Sequence, residues 1–181
     1  MTMAHSISHS YLKNIFPDVV NYNVFIETGT RTGGTTFKMS PYFDTVHTVE
    51  LSETLYLQTK SVANSKQYNN IHFHLGDSAK VLYDILPTIN QKAIFYLDGH
   101  WSAGNTARGP KDCPVIEELQ SINKLHDFDS LIIIDDFRLF GTDHHQDWSE
   151  ITVDAVLACF SKEKISRSWS HDDRYYILLN A

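Results

Sequence analysis

Residues 25–36 read FIETGTRTGGTT. Within this short run the chain turns from apolar to glycine- and threonine-rich, and an acid, Glu27, stands at the turning point. An apolar stretch that stops at a carboxylate and runs into backbone with little side-chain bulk predicts a strand feeding a ligand-binding loop. Gly29, Gly33 and Gly34 let the backbone approach a ligand closely and adopt positive φ where a turn needs it. The helix expected from about residue 34 would present free N–H groups to the same space.

The same alternation continues outward from this loop. The first strand is read at Val24 to Glu27, the second at Thr45 to Glu50, and a third inside NIHFHLGDS, residues 70–78. AIFYLD (93–98) and SLIIIDD (130–136) supply a fourth and a fifth. The continuous apolar run of the fifth predicts burial on both faces. Helical stretches separate them: residues 34–39, 53–64, AKVLYDIL after a Ser78 cap, PVIEELQSINKL with Pro114 in its first turn, and ITVDAVLACF. KISRSWS and RYYILLN, joined by HDD, read as a closing hairpin. The fold class expected is α/β: a Rossmann-like, doubly wound, mostly parallel sheet of about seven strands with a C-terminal antiparallel hairpin and helices on both faces.

Length and charge narrow the function classes. A chain of 181 residues suits one domain, 1–181, with an N-terminal helical segment over 1–20. A net charge of -7 leaves no basic surplus for general nucleic-acid binding. The absence of a signal-like apolar core in MTMAHSISHSYLKNIF and of any membrane-length run predicts a cytoplasmic protein that spans no membrane. Cys113 and Cys159 have no metal-like spacing, which fits a reducing compartment.

In such sheets ligands lie beyond the carboxyl ends of the strands, near the topological switch point. The first loop has G-x-x-x-G-G spacing, not the G-x-G-x-x-G of dinucleotide binders, and Glu27 would repel a diphosphate. A ligand with an amino-acid end fits better. The acid draws its ammonium and bare N–H groups hold its carboxylate, which describes S-adenosylmethionine. Glu50, ending the second strand, can accept hydrogen bonds from both ribose hydroxyls. Gly76, Asp77 and Ser78 would lie along the adenine. Thr30, Gly34, Thr35, Leu51 and Asp98 join Glu27, Gly29, Gly33 and Glu50 as candidate cofactor contacts.

In this order IETGTRTGG, Glu50, GDS and YLDGHWS resemble the motifs of class I S-adenosylmethionine-dependent methyltransferases, over roughly residues 20–181. The resemblance implies that Glu27, Gly29 and Gly33 surround the methionine part, Glu50 takes the ribose, and Asp77 and Ser78 the adenine side. Thr28 and Thr30 depart from the smaller residues usual there.

Asp98, Asp135 and Asp136 follow neighbouring strands, so their carboxylates are expected to converge at the sheet's rim. Converging acids need compensation, and a divalent cation such as Mg²⁺ supplies it. The pattern is similar to metal-dependent O-methyltransferases of the catechol and macrolide-sugar types, and LDGHWS looks like their LDHW with one glycine inserted. A hydroxyl acceptor also needs a base. His100 is the first candidate, with Asp98 beside it, and His144 and His145 come second. His72 and His74 alternate on the third strand and read as structural. Residues 99–113 read as a lid or substrate loop whose Arg108 and Lys111 would meet an anionic acceptor.

The leading expectation is therefore transfer of a methyl group to a hydroxyl of a small molecule, such as a sugar or an anionic sugar derivative, by a chain that can associate into homo-oligomers. The alternatives are a nicotinamide-dependent oxidoreductase and a non-catalytic Rossmann-like nucleoside-binding protein.

Overall fold

The structure, a computed structural model, describes residues 6–102, 104 and 106–181. Residues 1–5 of the N-terminal segment, and residues 103 and 105 of the expected lid, lie outside the described residues. The helices are α1 (His9–Ile15), α2 (Gly34–Met39), α3 (Glu53–Ser65), α4 (Ser78–Ile85), α5 (Val115–Leu125) and α6 (Val153–Leu157). The strands are β1 (Val24–Thr28), β2 (Thr45–Glu50), β3 (Ile71–Leu75), β4 (Ala93–Leu97), β5 (Ser130–Ile134), β6 (Ile165–His171) and β7 (Arg174–Leu179). They form one seven-stranded sheet in the order β3-β2-β1-β4-β5-β7-β6. The first five strands are parallel, and the hairpin enters antiparallel, with β7 beside β5 and β6 at the edge.

Every residue of β1, β4 and β5 is buried, which is why these strands read as unbroken apolar runs. Alternate side chains feed two cores. Ile26, Phe95 and Ile132 pack with Leu82 of α4, Leu119 of α5 and Val156 of α6. Phe25, Ile94 and Ile133 pack on the opposite face with Leu12 of α1 and Met39 of α2. Each such side chain contributes roughly 1.5–3 kcal/mol on burial. β3, at the sheet edge, is only partly buried.

Local chemistry sets the helix starts. The side chains of Ser8, Ser52, Asp77 and Thr152 each accept a backbone N–H in the first turn of α1, α3, α4 and α6. The expected cap of α4 thus shifts by one residue. Asp77 keeps an extended backbone and accepts from the Ala79 N–H at 3.2 Å, while Ser78 is already helical. α6 is shorter than ITVDAVLACF, because Ile151 is tied into the preceding loop through Trp148 and Gly141. The N-terminal segment continues past α1 as a tight turn, Pro17–Asn21, and buries Ile7, Leu12, Phe16 and Val19 against the sheet. Among the described residues no helix is long and apolar enough to cross a membrane.

β1 lies between β2 and β4, so the chain reverses its direction of travel across the sheet there. The crevice at the carboxyl ends of these strands is where a ligand is expected.

Candidate active site

That crevice is a cavity of about 530 Å³, lined from the sheet side by Gly29, Glu50, Leu51, Gly76, Asp77, Ser78, Asp98, His100 and Asp136. Its size suits a small-molecule ligand. Glu27, Thr30, Gly33, Gly34, Thr35, Asp135, His144 and His145, the other candidates from sequence, do not line it.

Glu27 stands behind the loop. Its Oε2 accepts the Thr36 hydroxyl and, at 2.7 Å, the Thr48 hydroxyl, and Thr30 Oγ1 lies 2.6 Å from Thr48 Oγ1. Burial pushes the Glu27 carboxyl up to about 8 against the pull of these hydroxyls. The carboxylate expected to face an ammonium is therefore the centre of a buried threonine network, and Thr30 belongs to that network. The glycines also serve the chain. A Cβ on Gly29 would lie 2.1 Å from the Asp98 carbonyl oxygen, and one on Gly33 would strike Phe37 and Thr59. Gly29 (φ 85°) and Gly33 (φ 77°) are both left-handed. α2 spans only six residues, too short to act as an anion site at its start.

Glu50 ends β2 and lines the cavity. Its Oε2 accepts the Arg31 N–H at 2.7 Å and its Oε1 accepts the Ser52 N–H at 2.8 Å. Two backbone amides thus fix the carboxylate at the cavity wall, with lone pairs left over. Asp77 and Ser78 follow β3 on the same wall.

The acidic cluster differs from the expected trio. Asp98, His100 and Asp136 come together, with potential ligand atoms within 4.8 Å of one another. Asp135 turns away: its Oδ2 accepts the Tyr96 hydroxyl at 2.7 Å, and its Oδ1 pairs with Arg174 Nε at 3.0 Å. Both residues lie just past β5, and Asp136 takes a left-handed backbone (φ 58°), so the chain turns between them and their side chains diverge. Burial and the Asp98 charge push the Asp135 carboxyl up to about 6.

His100 Nε2 lies 2.7 Å from Asp136 Oδ2 and 3.4 Å from Asp98 Oδ1. Burial opposes its charge, but hydrogen bonds to Asp136 and Asp98 prevail and push the imidazole up to about 10. These two carboxylates favour the charged imidazole, which works against the free base expected from sequence. Burial would raise Asp136, yet His100 and Arg138 hold it below the usual carboxylate range. Burial raises Asp98 despite His100. Protein cations thus supply much of the compensation for which a metal was invoked. The donor set still fits a divalent ion, and the imidazole softens it, so Mn²⁺ or Zn²⁺ suits it as well as Mg²⁺.

The side chains that orient His100 escaped the sequence reading. The Trp148 indole N–H, a pure donor, bonds Gln146 Oε1 at 3.1 Å, and the same oxygen lies 3.0 Å from His100 Nδ1. His100 must therefore carry its proton on Nδ1 to complete the bond. Both residues lie in GTDHHQDW, but the expected histidines, His144 and His145, are exposed. Glu118 was also missed, although its spacing from Val115 and Ile122 marks it as a buried polar side chain on an apolar helix face.

Loop residues Trp101, Ala107 and Lys111 form the outer wall of the cavity, and Gly109 approaches Leu51 from the other side. Arg108 and Lys111 are engaged within the protein. Arg108 makes a two-pronged bond to Asp112, and Lys111 pairs with Glu117 at 2.7 Å and Glu150 at 3.3 Å. Lys111 is half-exposed and lines the cavity as well. His72 and His74 do share a face, where they meet His47 at the sheet edge. His47 Nδ1 is 3.0 Å from His74 Nε2.

No protein-family model and no curated protein matches the chain. Solved structures do. The O-methyltransferase from Bacillus cereus in complex with SAH superposes with a TM-score of 0.66 at 13% identity, covering 98% of this chain and 84% of that one. An rRNA methylase from Streptococcus thermophilus superposes with a TM-score of 0.57 at 11% identity, covering 99% and 98%. The chain has the methyltransferase Rossmann-like fold. Because an rRNA methylase shares it, the fold gives no support to excluding nucleic acid as a partner.

Proposed function

We propose that this chain is an S-adenosylmethionine-dependent methyltransferase acting on a hydroxyl of a small molecule. The observation that carries this reading is Glu50: a strand-end carboxylate, fixed by two backbone amides on the wall of a ligand-sized cavity at the switch point. Glu50 holds the ribose by accepting its hydroxyls. Gly76, Asp77 and Ser78 border the base, and Gly29 and Asp98 border the amino-acid and sulfonium end. Glu27 acts at one remove, by fixing the loop through Thr36 and Thr48.

The acceptor approaches from the side of Asp98, His100 and Asp136. Transfer is an in-line displacement at the methyl carbon, so holding the acceptor oxygen in line supplies much of the rate. Asp98, whose side chain is about 31% exposed, is the carboxylate best placed to meet that oxygen and to take its proton as the methyl–sulfur bond breaks and the thioether leaves. Gln146 and Trp148 keep His100 in one orientation. The residues that would hold a divalent cation are Asp98, His100 and Asp136, and such a cation would lower the pKa of an acceptor hydroxyl bound to it.

Calorimetric titration with S-adenosylhomocysteine and with NADH, each with Mg²⁺ or Mn²⁺ and with EDTA, tests the reading. Binding of S-adenosylhomocysteine without NADH binding supports it. NADH binding alone would replace it with the oxidoreductase reading. A following acceptor screen should include an rRNA-derived oligonucleotide beside polyhydroxylated small molecules, because transfer to the RNA would refute the small-molecule acceptor.

A further inference from the structure

Glu118 is a carboxylate in an expensive place. It is fully buried on α5, on the face it shares with Val115, Leu119 and Ile122. An apolar side chain would fit that face at lower cost, so a buried acid there needs a partner that repays its desolvation. The partner is Ser78, whose hydroxyl donates to Glu118 Oε1. Ser78 lines the cavity between Asp77 and Ala79. The carboxyl also lies directly behind the cavity wall: a Cβ on Gly99 would sit 3.2 Å from Glu118 Oε1 and 3.1 Å from Thr28 Oγ1.

A serine hydroxyl has one proton and two lone pairs. With the proton committed to Glu118, Ser78 has only lone pairs left to offer. Such an oxygen accepts from an amine and repels a carbonyl oxygen. We propose that Glu118 is a positioning residue that fixes the polarity of Ser78 at the nucleobase end of the cavity, and thereby favours an amino-purine over an oxo-purine ligand. This rests on the S-adenosyl reading of the cavity.

The polarity depends on the charge of Glu118. Ionised, it can only accept from Ser78. Protonated, it can donate to Ser78 and release the serine proton toward the ligand. Burial pushes the Glu118 carboxyl up to about 7, opposed by the Ser78 and then the Thr28 hydroxyl, with the charges of Asp77 and Glu117 adding to the rise. Cys113, which precedes α5, is a further titratable neighbour, and burial holds its thiol neutral.

The test compares S-adenosylhomocysteine with S-inosylhomocysteine, in which an oxygen replaces the exocyclic amine. The wild-type chain should prefer the adenosyl ligand by about tenfold or more, the size of effect one mispaired buried polar group produces. Glu118→Leu, which suits its apolar neighbours, should reduce that preference severalfold, and Ser78→Ala should do the same. Asp77, also an acceptor, keeps part of the preference in both variants. Across about pH 6 to 8 the wild-type preference should rise with pH, and the rise should vanish in Glu118→Leu. If Glu118→Leu does not fold, Ser78→Ala and the wild-type pH profile decide. An unchanged preference in variants that still bind S-adenosylhomocysteine, or a flat wild-type profile, overturns the role of Glu118. Failure of the wild-type chain to bind S-adenosylhomocysteine at all removes the underlying cavity reading instead.

Discussion

Replacing Glu50 by alanine separates the ribose assignment from a general structural role. In the intact site the carboxylate accepts the Arg31 and Ser52 N–H groups at 2.7 and 2.8 Å and, in our account, two ribose hydroxyls as well. A hydrogen bond to a charged group contributes about 1.5–3 kcal/mol. Two that share one carboxylate and are not fully additive should give on the order of 3 kcal/mol, or about a hundredfold in Kd. The variant also strips an acceptor from two backbone amides, which costs up to about 2 kcal/mol of stability. A melting curve must therefore accompany the calorimetry. The decisive comparison uses S-adenosylhomocysteine and its 2′-deoxy analogue. Wild-type protein should bind the deoxy ligand about tenfold more weakly, and Glu50→Ala should bind the two alike. A folded variant with unchanged affinity, or one that still discriminates by the 2′-hydroxyl, would refute the geometry.

Asp98→Ala should keep the fold, because its backbone N–H still reaches the Thr28 carbonyl at 3.1 Å, while methyl transfer falls about a hundredfold or more; full transfer in a radiolabel assay would remove Asp98 from the chemistry. Asp135→Ala should behave in the opposite way. It takes the carboxylate from the buried Arg174 and should cost about 3–5 kcal/mol in urea unfolding, with little change in ligand affinity at saturating folded protein. Glu27 governs a pH effect on stability. Its carboxyl is raised from 4.5 to about 8 in the fold, so its contribution is fully present below pH 4.5 and is lost as pH rises through 8. Glu27→Gln should flatten the fall in melting temperature across that window, and an unchanged slope would count against a buried, proton-binding Glu27. Double replacement of the exposed His144 and His145 by alanine should leave transfer within about twofold of wild type, since surface changes away from the cavity rarely matter; a large loss would restore them as base candidates.

Much of the fold was readable because the parallel strands carry the pattern that double burial demands. AIFYL and SLIII are unbroken because helices cover both faces of β4 and β5. The hairpin was readable from the HDD turn, where Asp172 and Asp173 do take positive φ. That Glu50, Asp98 and the GDS loop line one cavity was readable because they follow the carboxyl ends of neighbouring parallel strands. The rest depended on orientation, which spacing does not encode. Nothing in DD says that Asp135 turns to Arg174 while Asp136 turns to His100. The glycines suggested a ligand cradle, yet Gly29 is required by the Asp98 carbonyl and Gly33 by Phe37. Glu27 drew attention as a free acid because the hydroxyls that occupy it, Thr36 and Thr48, come from α2 and the neighbouring strand β2. Gln146 and Trp148 sit in a loop without periodicity, so their contact with His100 appears only in three dimensions.

The most direct test of the central claim is a crystal structure grown with S-adenosylhomocysteine. The account predicts the nucleoside in the 530 Å³ cavity, both ribose hydroxyls on the Glu50 carboxylate, the base beside Ser78 and the sulfur facing Asp98. A cavity left empty at saturating ligand, or a ligand lying with its ribose away from Glu50, would contradict it.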